Sequence, residues 1–206
     1  MAQRIGLYGG SFDPIHFGHL ISARSLAEQL SLNRVVLIPA MLPPHKQKSE
    51  LTDARHRLEM ARLAVQGDPL FEVSDAELHR AGPSYTFDTV TQFRQQLGPQ
   101  VELFWFIGAD SLPELPSWYR VAELVKVVRI VTAARPGWTR PDPAQLNVAI
   151  GSASARQLLE DCLETPRIDI SATDIRARVR SGLSIRYLVP EGVASYIATQ
   201  RLYQIP

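Results

Sequence analysis

Two histidines three residues apart, His16 and His19, stand in the string Gly9-Gly10-Ser11-Phe12-Asp13-Pro14-Ile15-His16-Phe17-Gly18-His19-Leu20. A short apolar run, Arg4 to Tyr8, precedes it and a helical pattern, His19 to Gln29, follows. A strand that ends in glycines and turns into a helix presents backbone amides and the positive helix end to an anion. Gly9 and Gly10 permit close approach to the backbone, and Gly18 leaves room between two imidazoles whose spacing aims both into one pocket. A lone histidine here would more often cap the helix and satisfy backbone groups. The pair, with its glycines, favours donation to phosphate oxygens.

Four further clusters could add to such chemistry. Ile170-Ser171-Ala172-Thr173-Asp174-Ile175-Arg176 reads as a helix start, with Ser171 and Thr173 as cap candidates and Arg176 offering a guanidinium fork suited to phosphate. Pro39-Ala40-Met41-Leu42-Pro43-Pro44-His45-Lys46 is a proline-stiffened loop that could offer His45 and Lys46 to an anion. Only Lys46, Lys48 and Lys126 are lysines among 22 basic residues, so this loop is unusual in holding two of them. Gly82-Pro83-Ser84 breaks the chain before a helix starting near Tyr85 and Thr86, whose free amides would suit a carboxylate. Gly108 and Asp110 close a hydrophobic strand where a carboxylate could bind a ribose hydroxyl, followed by Trp118 and Tyr119 and, later, Arg135.

The elements that must position these residues alternate. Strand patterns occur at Arg4 to Tyr8, Arg34 to Ile38, Phe71 to Ser74, Val101 to Ile107, Val127 to Ala133 and Arg167 to Ile170. Helical patterns occur at His19 to Gln29, Asp53 to Val65, Tyr85 to Leu97, Ala122 to Lys126, Ala153 to Leu163, Thr173 to Arg180 and Pro190 to Gln200. This alternation predicts an α/β fold with a doubly wound parallel sheet, the last two helices forming a small C-terminal cap over about residues 171–206. Val101 to Ile107 is nearly continuous in apolar residues, as a central strand buried on both faces requires. Ligands of such sheets bind beyond the carboxyl ends of the strands, where the clusters above fall. The expectation is one domain over residues 1–206, with Arg135 to Pro143 as a surface loop.

The strings themselves resemble a known family. G-G-S-F-D-P-x-H-x-G-H resembles the signature of the H-x-G-H nucleotidyltransferase superfamily, which implies a Rossmann-like fold and transfer of a nucleotidyl group from a triphosphate. Ile170 to Arg176 is similar to the superfamily's second signature, I-S-S-T-x-I-R, with Ala172 in place of the second serine. P-P-H-K at 43–46, G-P-S-Y-T-x-D-T at 82–89 and G-A-D-S-L-x-x-L-x-x-W-Y at 108–119 resemble bacterial nicotinate mononucleotide adenylyltransferases. The resemblance runs from Gly9 to Arg176 in order. It implies adenylyl transfer from ATP to nicotinate mononucleotide, with His16, His19, Lys46 and Arg176 as catalytic residues. It implies ATP binding by Gly9, Gly10, Ser11, Phe12, Gly18, Gly108, Asp110, Ser171 and Thr173. His45, Tyr85, Thr86, Trp118, Tyr119 and Arg135 would hold the mononucleotide, with amides near Tyr85 on its carboxylate and Trp118 on the pyridine ring. Mg2+ would be carried mainly by the ATP phosphates, with no dedicated protein metal site.

Bulk properties narrow the alternatives. Twenty-two basic against 21 acidic residues give a net charge of +1, so no global field draws the chain to nucleic acid or an anionic membrane. One cysteine, Cys162, excludes an internal disulfide, and no run approaches the length of a membrane span. A cytoplasmic protein with no second catalytic domain is expected, and a homo-oligomer is compatible with the sequence. Two rivals are an adenylyltransferase for another phosphorylated small molecule such as phosphopantetheine and a noncatalytic nucleotide-binding regulator. The first would lack the tryptophan and G-P-S-Y-T strings, and the second would lose the histidines or the arginine. An aminoacyl-tRNA synthetase fragment would carry a second lysine-rich signature, which is missing.

Overall fold

A computed structural model of the chain describes residues 3–44, 51–134 and 143–204. Six strands form one sheet in the order β3-β2-β1-β4-β5-β6. They are β1 (Arg4–Gly10), β2 (Arg34–Pro39), β3 (Phe71–Val73), β4 (Glu102–Gly108), β5 (Arg129–Ala134) and β6 (Cys162–Glu164). The pairs β1–β4, β4–β5 and β5–β6 are parallel, with Ile5 opposite Leu103 and Trp105 opposite Ile130. This order is that of a doubly wound sheet. Among the described residues the helices are α1 (Phe17–Gln29), α2 (Ala54–Ala64), α3 (Thr86–Leu97), α4 (Val121–Val127), α5 (Pro143–Ile150) and α6 (Ser152–Glu160), which lie between strands, and α7 (Ala172–Arg180) and α8 (Glu191–Thr199), which follow β6.

Contacts divide the chain into two compact units. The first comprises Met1–Gly9, Ser22–Val36 and Tyr85–Arg167. Its core is β4, in which Leu103, Phe104, Trp105, Phe106 and Ile107 are all buried, because neighbours on both edges and both faces leave no solvent side. Arg94 of α3 donates to the carbonyls of Gly98, Val101 and Val127, pinning the helix end to the start of β4 and the end of α4. Arg129 forms a bidentate pair with the buried Asp161 at the start of β5.

The second unit comprises Gly10–Ile21, Leu37–Ser84 and Ile168–Pro206. Within it α2 packs against α8, where a Cβ on Gly192 would lie 3.5 Å from Leu63 Cβ and His56 Nδ1 is 2.9 Å from the Tyr196 hydroxyl. Asp53 caps α2 by accepting from the Arg55 amide, and Ser171 caps α7 by accepting from the Asp174 amide.

Two sequence expectations are corrected. Arg167 to Ile170 is not a strand; the last strand is Cys162–Glu164, where the helical pattern ending at Leu163 was expected to continue. Thr132 N–H donates to Asp161 O and Thr165 N–H to Ala134 O, so ladder bonds to β5 claim a segment too short to carry its own periodicity. Helix α5 was not expected either. Among the described residues no helix is long and apolar enough to cross a membrane.

Candidate active site

The second unit holds the histidine pair. Strand β1 ends at Gly10, whose carbonyl accepts from the Ala40 amide at 2.9 Å. The chain then turns through Phe12 in a left-handed conformation (φ 46°) and a cis Asp13–Pro14 bond to His16, which caps α1: its carbonyl accepts from the amides of His19 and Leu20. His19 reaches back, its Nδ1 accepting from the His16 backbone N–H at 3.2 Å. A side chain three residues past the cap that accepts from the cap amide is one half of a capping box, so the helix start fixes the imidazole. With Nδ1 accepting, the neutral ring carries its proton on Nε2 and presents a donor there.

The rings of His16 and His19 stack, with centroids 3.7 Å apart and planes 26° from parallel. Phe12 meets His19 edge-on at 5.2 Å. Burial pushes the His16 imidazole down to about 4 and holds His19 well below the usual range, with repulsion from His16 adding to the latter. His16 Nδ1 is buried without a hydrogen-bond partner. Such an atom costs free energy unless a ligand satisfies it. A Cβ on Gly18 would lie 3.0 Å from both Nδ1 and Cε1 of His16, so only glycine admits the ring there without displacement.

Arg176, of α7, donates from Nη1 to the Asp13 carbonyl at 2.7 Å and from Nη2 to Thr173 Oγ1 at 3.3 Å. The guanidinium thus rests on the same turn that leads to His16. Ser171 donates to Asp174 Oδ2 at 2.7 Å while capping the helix, so its hydroxyl is committed within α7. Gly10, Ser11, Phe12, His16, Gly18, His19, Ser171, Thr173 and Arg176 all lie in this unit.

Gly9, Tyr85, Thr86, Gly108, Asp110, Trp118 and Tyr119 lie in the other. Tyr85 caps α3 with no side-chain bond to the first-turn amides, and its ring lies 4.5 Å from that of Tyr119. Tyr119 is exposed and Trp118 half-buried at the end of a single 3-10 turn, Leu115–Ser117. Exposed Asp110 folds back so closely on Gly108 that any Cβ there would collide with its Oδ1. Burial, and then the Asp110 charge, holds the Tyr8 phenol up. His45, Lys46 and Arg135 fall outside the described residues. Among the described residues no group of three or more histidine, cysteine or acidic side chains could hold a metal.

Residues 7–178 match the Cytidylyltransferase-like family. A probable nicotinate-nucleotide adenylyltransferase of Moorella thermoacetica is 39% identical over 203 residues, 98% of this chain and 92% of that protein. The nicotinate-nucleotide adenylyltransferase of Bacillus subtilis is 38% identical over 98% of this chain and 99% of its own. The chain belongs to the nicotinate-nucleotide adenylyltransferase family. The same fold is seen in a Plasmodium falciparum nicotinic acid mononucleotide adenylyltransferase complexed with NaAD, at a TM-score of 0.76, 19% identity, and coverage of 98% and 97% of the two chains.

Arg57 and Tyr203 were not singled out by the sequence. Arg57 had a readable signal: it sits in the stripe Ala54, Arg57, Leu58, Ala61 at helical spacing, a charged residue where α2 buries its face.

Proposed function

We propose that this protein transfers the adenylyl group of ATP to the phosphate of nicotinate mononucleotide, releasing pyrophosphate and forming deamido-NAD. One observation carries the reading: the histidine pair and Arg176 are anchored on one turn, Asp13 to His16, beside a strand that ends in glycines. Full-length relatives carrying the adenylyltransferase name support it.

A phosphate oxygen of the mononucleotide attacks the α-phosphorus of ATP, and the bond from that phosphorus to the bridging oxygen of the leaving pyrophosphate breaks. The attacking group is already ionised at neutral pH, so no general base is needed and catalysis is positioning and charge neutralisation. His16 and His19, neutral in the free protein, donate N–H groups to phosphate oxygens. The amides of Gly10 to Phe12 and the Arg176 fork stabilise charge that develops on the pyrophosphate side. Lys46 adds a cation by resemblance. First-turn amides of α3, at Tyr85 and Thr86, take the nicotinate carboxylate, while Trp118 stacks on the ring. His45, Tyr119 and Arg135 complete the mononucleotide contacts, and Asp110 holds a ribose hydroxyl. A donor set of imidazoles, amides and guanidinium fits a triphosphate that brings its own Mg2+ on phosphate and water. That ion, when bound, would neutralise phosphate charge.

The whole chain is proposed to work as one nucleotidyltransferase domain in the cytoplasm, with no nucleic-acid or membrane partner. The test is pyrophosphate release from ATP with a panel of acceptors: nicotinate mononucleotide, nicotinamide mononucleotide and phosphopantetheine. Nicotinate mononucleotide is expected to be the best substrate, and preference for phosphopantetheine would reject the assignment.

A further inference from the structure

Three peptide carbonyls far apart in sequence converge on one buried guanidinium. Arg57, 1% exposed, donates from Nε to Thr52 O at 2.8 Å, from Nη1 to Ser11 O at 2.8 Å and from Nη2 to Met41 O at 3.3 Å. Thr52 in turn donates its amide to Asp13 Oδ2 at 3.1 Å, and Tyr203, near the far end of the chain, donates its hydroxyl to Asp13 Oδ1 at 2.7 Å. Asp13 is 3% exposed, so its carboxylate is a buried charge with two donors and Arg57 as a nearby opposite charge. Every member of the network belongs to the second unit.

The geometry has a consequence for the phosphate loop. A trans peptide is planar, with its carbonyl and the following N–H pointing opposite ways. Holding Ser11 O on the buried Arg57 therefore aims the Phe12 N–H away from that guanidinium. Tyr203 and the Thr52 amide lock the next side chain along, and Arg176 takes the Asp13 carbonyl. Arg57, Tyr203 and the Thr52 amide thus set the loop's direction from its buried side.

We propose that Arg57 and Tyr203 are positioning residues for adenylyl transfer: they touch neither substrate but fix the Ser11–Asp13 turn so that its amides and His16 meet the triphosphate. This rests on the function proposed above. A positioning role lowers turnover per active site, because misplacement of about 1 Å costs on the order of a hundredfold. A merely structural role would instead lower the number of active molecules.

The test uses the full chain with Arg57→Lys and Tyr203→Phe. Arg57→Lys keeps the charge but loses the planar three-way fork. We measure kcat and KM for ATP and nicotinate mononucleotide per active site, active sites being counted by a single-turnover burst. Far-UV circular dichroism gives the folded fraction, and calorimetry gives the affinity for a non-hydrolysable α,β-methylene ATP. Arg57→Lys should fold, lose about tenfold or more in kcat and bind the analogue more weakly, with KM for the mononucleotide within about threefold. Tyr203→Phe should fall in the same direction by about threefold or more. Parental kcat per active site in either folded variant would overturn the proposal. Should Arg57→Lys fail to fold, Tyr203→Phe decides alone. A parent that binds the ATP analogue but turns over no nicotinate mononucleotide would defeat the functional reading instead, and analogue binding by the variants would still report on the turn.

Discussion

The His16 backbone N–H donates to His19 Nδ1 at 3.2 Å, beneath two imidazoles stacked 3.7 Å apart. That bond decides which nitrogen of His19 carries the proton in the neutral ring, and burial keeps both rings neutral near pH 7. The pair therefore meets phosphate as hydrogen-bond donors oriented by the helix start, without a cationic charge that would have to be desolvated first.

His19→Asn is the sharper probe of this arrangement. The asparagine oxygen can still accept from the His16 amide, whereas the Nε2–H donor is gone. The variant should keep its melting temperature within a few degrees while turnover at saturating substrates falls about a hundredfold, the scale of losing one transition-state donor. His19→Ala should lose as much turnover and some stability besides.

Acid should weaken the fold through His16. Its folded-state value of about 4 lies below the usual 6.5, so between those limits the unfolded chain binds a proton that the folded chain does not. Stability is then full above pH 6.5 and falls as pH drops toward 4, by up to about 3 kcal/mol at the low end. Urea unfolding across this range, on the parent and on His16→Asn, measures it: the variant should lose the His16 share of the slope and keep the share of His19, whose imidazole burial also holds down.

Gly18→Ala separates stability from chemistry. Alanine is worth up to about 1 kcal/mol over glycine inside a helix. The added methyl, however, would stand 3.0 Å from two atoms of the His16 ring and force it to turn. Thermal unfolding should change by only a few degrees, and kcat should drop by about tenfold or more.

Substrate choice is expected to reside in the start of α3, whose cap residue Tyr85 leaves the first-turn amides without a side-chain partner. A carboxylate satisfies such amides and a carboxamide does so poorly. Efficiency, as kcat/KM, should be at least about a hundredfold higher with nicotinate than with nicotinamide mononucleotide; equal values would remove the carboxylate role from this helix.

The turn from Gly9 to His19 was legible because its chemistry is local: the glycines, the helix cap and both imidazoles lie within one short run. The apolar run at 101–107 likewise announced a central strand, and β4 is buried from Leu103 to Ile107. Elsewhere tertiary pairing overrides local pattern. Arg167 to Ile170 has the alternation of a strand but pairs with no strand among the described residues, while Cys162–Glu164 pairs with β5 and has almost no pattern. The site's buried support was hidden for a related reason. Arg57 acts on carbonyls 5, 16 and 46 residues away, and Tyr203 on a carboxylate 190 residues away. Nothing in the identity of a carbonyl's residue advertises such a partner.

Adenylyl transfer requires attack at the α-phosphorus of ATP, and labelled ATP shows directly which phosphorus is attacked. With ATP labelled at the α-phosphorus and nicotinate mononucleotide in excess, the label should appear in the dinucleotide while the β- and γ-phosphorus atoms leave together as pyrophosphate. Label retained in AMP or ADP, or a γ-phosphoryl group found on the acceptor, would contradict adenylyl transfer by this protein.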